Sequence, residues 1–181
     1  MTYKCIEILT EEHKPILGIA DVLESIANRT ESHLVFEERD VTDILQILTT
    51  FGDDFHQAKE EGALFPVLTA SCHPSQQAAI RHMLLEHEQD RSLIKGMQEA
   101  LARSNAAQIA EYSLRLARTL RNHVSKEDDI FFGTITAQLT DEDDTKIVAE
   151  FEAFDREFEE QKEELLHRLR LLEWKYLRNA T

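Results

Sequence analysis

The stretch FHQAKEEGALFPVL, residues 55–68, decides the fold because it places His56 and Glu60 on the apolar face of one helix. Residues four apart lie one above the other on an α-helix, so an imidazole nitrogen and a carboxylate can point to the same place. The same spacing returns at His123 and Glu127 in RNHVSKEDDIFF, followed again by aromatic and aliphatic residues. Two such pairs on apolar stripes predict a metal site between helices.

Length and charge limit what the chain can do. Its 181 residues are enough for a single domain with a full core and too few to need two. The net charge of −15 repels phosphate groups, so we expect neither nucleic acid nor an anionic membrane surface as a partner. No apolar run could cross a bilayer, and the amino-terminal MTYKCIEILTEEH has no signal-peptide pattern. The sequence therefore predicts a soluble, cytoplasmic protein.

The two cysteines, Cys5 and Cys72, have neither the number nor the spacing of a disulfide framework or a zinc site. We expect reduced thiols. The alternative is that the start of the first helix and the end of the second bring them together at one end of a bundle.

Helical periodicity extends over nearly the whole chain, and five glycines and three prolines leave little material for turns. We predict an all-α, up-down-up-down four-helix bundle over about residues 10–140, with an additional C-terminal helix over about residues 141–178. The first helix is expected to start after Thr10, with Pro15 near its beginning, and the second at about Asp40. Asn105 is predicted to cap the fourth helix, and Thr140 with Asp143 to form a capping box for the fifth.

The predicted inner face of the fourth helix continues past Glu127. An α-helical stripe passes from Glu127 to Ile130 or Phe131 and then to Thr134. We expect those side chains to point into the bundle.

Each of the four bundle helices has one histidine in the middle of its apolar stripe: His13, His56, His87 and His123. Any one of them alone is typical of a core histidine with a hydrogen bond. Four imidazoles and two carboxylates buried without an ion, however, would cost several kcal/mol in desolvation. We expect the carboxylates to bridge two metals and the histidines to bind terminally. Such ligands suit iron or manganese, and zinc remains an alternative.

Four motifs in order resemble those of the hemerythrin-like, or HHE cation-binding, proteins: His13 in the first helix, FHQAKEEGALFPVL, LLEHEQDRSLI around His87, and NHVSKEDDIFF. The resemblance covers about residues 5–160. It implies a left-handed four-helix bundle around a non-haem di-iron centre, with two iron ions joined by an oxo or hydroxo bridge, that meets dioxygen, nitric oxide or peroxide. The implied metal ligands are His13, His56, Glu60, His87, His123 and Glu127.

The chain departs from the oxygen-carrying members of that family in two ways. Those proteins have a further histidine four residues from the third-helix ligand, where this chain has Met83 and Arg91. They also use an aspartate five residues after the last histidine, the position of Asp128, whereas the HHE subset uses a glutamate four residues after it. On an α-helix the i+4 residue lies about 40° from the histidine and the i+5 residue about 140°. We therefore predict Glu127 as the ligand.

The missing histidine affects the expected chemistry. Two six-coordinate irons need about twelve ligand positions, and the predicted ligands with one bridge leave about two of them open. Two labile positions favour redox chemistry or sensing over simple oxygen transport. A further protein ligand would change this count, and the candidates are His33, His82, Glu61, Asp90 and Tyr3. Glu61 and Asp90 are better suited to the surface or to accepting the outer N–H of a ligating imidazole. Some iron-centre-repair relatives have an additional histidine about as far after the first as His33, and the alternative for His33 is a solvated loop histidine.

The C-terminal segment LLHRLRLLEWKYLRN, residues 165–179, carries a stripe of Leu165, Leu169, Leu172 and Tyr176 among basic residues. The simplest interpretation is a fifth helix packed on its own bundle. The alternative is a surface for a homodimer or another protein.

Three kinds of function fit these observations. The first is a di-iron enzyme that reduces nitric oxide or decomposes peroxide. The second is a protein that senses, binds or stores oxygen, nitric oxide or iron without turnover. The third is iron-centre repair.

Overall fold

Five helices make up the described part of the chain. The structure is a computed structural model that describes residues 3–31, 37–71, 74–135 and 137–178, and these residues contain no strand. We label the helices α1 (Lys4–Glu31), α2 (38–71), α3 (Pro74–Ala102), α4 (106–135) and α5 (Asp141–Leu177). Asn105 caps α4 and Thr140 forms a capping box with Asp143 at α5, which confirms both predicted caps.

Two of the helices change their hydrogen bonding along their length. In α2, the α-helix Glu38–Ile47 is followed by π-helical segments at Leu48–Gln57 and Glu60–Leu64 and then by the α-helix Phe65–Ser71. In α4, the α-helix Ala106–Lys126 is followed by a π-helical turn at Glu127–Phe131 and by Phe132–Ile135.

Contacts between helices fix their directions. Glu86 on α3 contacts His123 on α4, whereas Asp90, one turn later on α3, contacts Thr119, one turn earlier on α4. The same reversed order joins α1 to α4 and α2 to α3. The first four helices therefore run up, down, up and down, as predicted, and α5 adds a fifth helix antiparallel to α2.

The apolar core has two parts. One part is built from residues such as Leu23, Phe51 and Leu120 and continues to Tyr176 on α5. The other contains residues near the start of α1 and the ends of α2 and α4, such as Leu9 and Phe131. The predicted metal ligands fall between these two parts in every bundle helix, so apolar side chains enclose them from both ends.

The first helix starts earlier than predicted, at Lys4 and not after Thr10. The reason is a tertiary contact, because the Asp144 carboxylate at the start of α5 accepts hydrogen bonds from the backbone N–H groups of Lys4 (3.1 Å) and Cys5 (2.9 Å). Pro15 is therefore in the interior of α1 and not near its beginning.

The inner face of α4 shifts after Glu127. Phe131 is buried, whereas Ile130 is exposed and Thr134 is exposed too, so the prediction for Thr134 was wrong. The physical reason is the π-helical turn at Glu127–Phe131, which adds about one residue to the turn and rotates the following residues.

The C-terminal helix packs on its own bundle. Leu165, Leu169, Leu172 and Tyr176 are all buried, and the Tyr176 hydroxyl donates to Asp40 on α2 over 2.7 Å. This confirms the simpler interpretation of the segment. The outer face of α5 leaves Leu171 and Trp174 exposed at 56% and 60%, and docking of a partner there stays a prediction.

Two further predictions concern cysteines and membranes. Cys5 is a buried free cysteine, but Cys72 lies outside the described residues, so their pairing is not tested. None of the helices in the described ranges carries an apolar stretch long enough to span a membrane.

Candidate metal centre

The π-helical segments carry or border half of the predicted ligands. His56 lies in Leu48–Gln57, Glu60 begins the second π-helical segment and Glu127 begins the third. Single π-helical turns within α-helices are rare and occur often at functional sites, because the wider turn redirects side chains. Here Glu60 and Glu127 each stand at the first residue of such a segment.

The six predicted ligands come together in two groups that share both carboxylates. The first group is His13, His56, Glu60 and Glu127, and in it one donor atom from each residue lies within 4.8 Å of the others. The second group meets the same limit with His87 and His123 in place of the first two histidines. All six residues are buried. Each group has the size and donor types of a single-ion site, and the shared carboxylates join the two.

The inner nitrogen atoms face the carboxylates at short range. The Nε2 atom lies 3.1 Å from Glu127 in His13, 3.4 Å from Glu127 in His123, and 3.3 Å from Glu60 in His87. His56 Nε2 is farther, at 4.0 Å from Glu60. Across the second group, the Nε2 atoms of His87 and His123 are 3.2 Å apart.

Several of these buried atoms lack a hydrogen bond. Both carboxylate oxygens of Glu60, both of Glu127, and the Nε2 atoms of His13 and His56 have no hydrogen-bonding partner of suitable geometry. Buried polar atoms are nearly always satisfied, and an unsatisfied one costs roughly 1–3 kcal/mol. A cation between the groups would satisfy these atoms together, so the residues present fit one or two metal ions.

Each histidine also contacts a second carboxylate through its outer nitrogen, Nδ1. Every such carboxylate comes from a neighbouring helix. A carboxylate of α1 contacts the histidine of α2, one of α2 contacts that of α3, one of α3 contacts that of α4, and one of α4 contacts that of α1, so the contacts form a closed ring. The pairs are Glu12–His56, Glu61–His87, Glu86–His123 and Asp128–His13, with oxygen–nitrogen distances of 3.1, 2.7, 3.0 and 2.9 Å. A carboxylate at Nδ1 favours the tautomer that leaves Nε2 free to bind a metal, and it fixes the ring orientation.

Other side chains hold these outer carboxylates in turn. Arg91 donates to Glu61 over 2.7 Å, and Lys126 pairs with Glu86. Lys59 donates to Glu12 over 2.6 Å. Thr10 contacts Asp128 over a longer 3.5 Å.

The charges of the site alter its pKa values. Burial opposes the protonated form of His87, but the nearby charge of Glu60 and the hydrogen bond with Glu61 raise its pKa to about 10. For His13, burial is again outweighed, by Glu127 first, and the pKa rises to about 9. The pKa of Glu127 is raised by burial and by the negative charge of Glu60. His13 and His87 therefore hold protons at neutral pH in the absence of a cation, and binding of a metal ion would release them.

Aromatic rings stack on two of the four histidines, His13 and His87. Phe65 stacks on His87 with ring centroids 6.0 Å apart, and Phe132 stacks on His13 at 5.8 Å. Phe131 packs edge-on against Phe65. All three rings belong to the second part of the core, which contains Leu9 and Phe131, and they form an apolar layer over the site.

The other predicted candidates lie outside both donor groups. His82 is exposed and pairs with Glu86, and the Tyr3 hydroxyl donates to the carbonyl of Leu139. Asp90 is buried and accepts from Thr119 over 2.6 Å. Glu61 contacts His87 at its outer nitrogen, as we expected of it. His33 is outside the described residues.

The two positions that lack the family's further histidine have other roles. Met83 belongs to the part of the core that contains Leu9 and Phe131, and Arg91 binds Asp53, Glu61 and Glu88.

Sequence reasoning missed Glu12, Glu86 and Lys59, and it considered Asp128 only as a ligand. The sequence does indicate these carboxylates, because each one is next to a predicted ligand, as Glu12 is to His13. Spacing along one helix cannot reveal the pairing, however, because the bond crosses to the next helix.

Fold and site together define a protein of the four-helix-bundle class with a candidate metal centre, where buried histidines and glutamates could hold a cation. The family model of the hemerythrin HHE cation-binding domain matches residues 5–135, and the chain belongs to that family. A comparison with curated proteins gave no match. The resemblance seen in the sequence motifs is thus confirmed, and α5 lies beyond the matched residues.

Proposed function

We propose that this protein holds two iron ions, one in each donor group, and uses them in redox chemistry or sensing of dioxygen, nitric oxide or peroxide. The observation that carries the proposal is the sharing of Glu60 and Glu127 by two complete donor groups. Shared carboxylates are the feature of dinuclear carboxylate sites in bundles, and the absence of thiolates from these groups suits iron better than softer metals. Bound iron would supply a redox-active centre that accepts small ligands.

The protein's own residues prepare that centre in two ways. The outer carboxylates accept the Nδ1–H of each imidazole and leave Nε2 directed inward. The aromatic layer formed by Phe65, Phe131 and Phe132 keeps bulk water out. An oriented, dry pocket strengthens electrostatic interactions with whatever it binds.

A cleft borders the aromatic layer. An apolar cleft of about 200 Å³ is lined by Met83, Ile130 and Phe131 among others, and Phe131 is also part of the aromatic layer. A cleft at this place would let a small molecule reach the aromatic layer.

Metal content and the optical spectrum of protein from iron-replete cells test the proposal. We expect about two irons per chain with bands typical of a bridged pair, lost in His56→Ala and Glu127→Ala. His167→Ala is the matched control, because that histidine is exposed on α5 and outside both groups. One zinc ion or no metal in the native protein would contradict the proposal.

Titration of the reduced protein then separates the functions. Rapid oxidation with consumption of peroxide or nitric oxide supports turnover. A stable, reversible oxygen adduct supports the alternative of binding or storage. Release of iron to a damaged iron-centre protein, without either reaction, supports repair.

A further inference from the structure

We propose that Asp155, on the C-terminal helix, is a positioning residue for one half of the metal centre and acts on His56 through Lys59 and Glu12. The inference rests on the proposed centre. It concerns a helix that lies outside the residues matched to the hemerythrin HHE family, 5–135.

The contacts form a continuous chain from α5 to the site. Asp155 accepts from the ammonium group of Lys59 over 3.1 Å, and the same ammonium group donates to Glu12 over 2.6 Å. The other oxygen of Glu12 lies 3.1 Å from His56 Nδ1. Each link is within charge-assisted hydrogen-bonding distance, so displacement of one group changes the position of the next.

Burial makes Lys59 dependent on these partners. Its side chain is 0% exposed, whereas that of Asp155 is 39% exposed. A buried ammonium group needs anionic or aromatic partners, because it has lost its hydration. Besides the two carboxylates, Lys59 lies 3.9 Å from the ring centroid of Phe55 and 5.4 Å from that of Phe151, which is also on α5. The C-terminal helix thus provides part of the environment that keeps this lysine charged inside the protein.

The removal of Asp155 would leave Lys59 with one carboxylate in place of two. The ammonium group would then draw Glu12 more strongly and weaken its contact with His56 Nδ1. His56 is the ligand whose Nε2 is farthest from its carboxylate, at 4.0 Å, so its orientation depends most on the outer contact. Among the described residues, the supports of the other three outer carboxylates all come from bundle helices: Thr10, Arg91, Lys126 and His82.

Binding of Co²⁺ to the metal-free full chain, in competition with a chromophoric chelator, tests the proposal. We expect Asp155→Asn to weaken one of the two Co²⁺ sites about tenfold, the lower end of the range for outer-sphere partners, and to leave the other within about twofold. Asp155→Glu should restore most of the affinity. Glu152→Gln is the matched control, because it makes the same change of charge on an exposed residue of the same helix.

Equal affinities in Asp155→Asn and Glu152→Gln would overturn the proposal, and so would equal weakening of both sites. Two Co²⁺ sites in the unmodified chain would support the metal centre whatever the variant does, so the two proposals fail separately.

A second measurement does not need a metal. Nitrogen-15 NMR of the histidine rings in the metal-free chain should show that Asp155→Asn shifts the His56 signals most and leaves those of His87 and His123 nearly unchanged. Unchanged His56 signals would refute the link even if no metal binds.

Discussion

The two halves of the candidate metal centre use the same donor types but are supported differently. In the half with His87 and His123, the cations that hold the outer carboxylates are Arg91 and Lys126, with side chains 29% and 41% exposed. In the half with His13 and His56, the corresponding cation is Lys59, which is completely buried and reaches α5. One half is thus supported from the surface of the bundle, and the other from its interior and from the added helix.

The difference matters because water screens the two supports unequally. Exposed ion pairs contribute about 0–1 kcal/mol, and salt weakens them. Breaking a buried pair costs about 3–5 kcal/mol, because it leaves a charge without a partner. We therefore expect the His56 half to respond more strongly to changes in its outer contacts.

The largest effect is expected from the shared carboxylates. Glu60 belongs to both donor groups, so Glu60→Gln should weaken both ions by more than about a hundredfold, beyond the range for outer-sphere changes. Metal analysis and chelator competition measure this, with circular dichroism to verify the fold. Glu61→Gln is the neighbouring control and should affect one ion only, because Glu61 contacts only His87 among the four histidines. Two ions bound normally by Glu60→Gln would show that the groups do not share it.

A smaller effect is expected when one terminal ligand is removed. His56→Ala should release the ion of its own half, and His87→Ala the ion of the other, since each histidine belongs to one donor group. Metal stoichiometry of each variant after dialysis checks this. Loss of both ions from either variant would mean that the halves fill cooperatively, and the comparison between them would lose its basis.

The sequence was a good guide to the helices and to the residues that meet at the site. Apolar spacing located the four bundle histidines because the period of a helix determines which side chains share a face. The start of α1 was placed too late because the carboxylate of Asp144 that stabilises it lies about 140 residues away in the chain. Thr134 was misplaced because a π-helical turn leaves no mark in an apolar pattern.

The outer ring of carboxylates shows the other limit of sequence reasoning. Glu12 and Glu86 stand beside predicted ligands, but their bonds are made to the neighbouring helix. Which face of one helix meets which face of another depends on packing across the bundle, and one sequence without its structure does not determine that.

A modest effect is expected from the exposed supports. Arg91→Gln or Lys126→Gln should weaken the ion of the His87 half by less than about fivefold, which corresponds to about 1 kcal/mol for a solvent-screened pair. Competition assays at low and high salt measure this, and the difference from the unmodified protein should shrink at high salt. A tenfold or larger loss that persists in high salt would indicate that both halves are supported equally strongly.

The smallest effect is expected on the outer face of α5. Trp174 is 60% exposed, so Trp174→Ala should change the free energy of unfolding by less than about 0.5 kcal/mol and leave both metal affinities unchanged. Tyr176→Ala on the same helix should cost about 3–5 kcal/mol, because it removes a buried ring and the hydrogen bond to Asp40. Chemical denaturation of both variants measures the difference. Analytical ultracentrifugation of Trp174→Ala adds a further comparison: an unchanged oligomeric state would mean that α5 acts only within its own chain, whereas dissociation of a dimer would mean that its outer face binds a second chain.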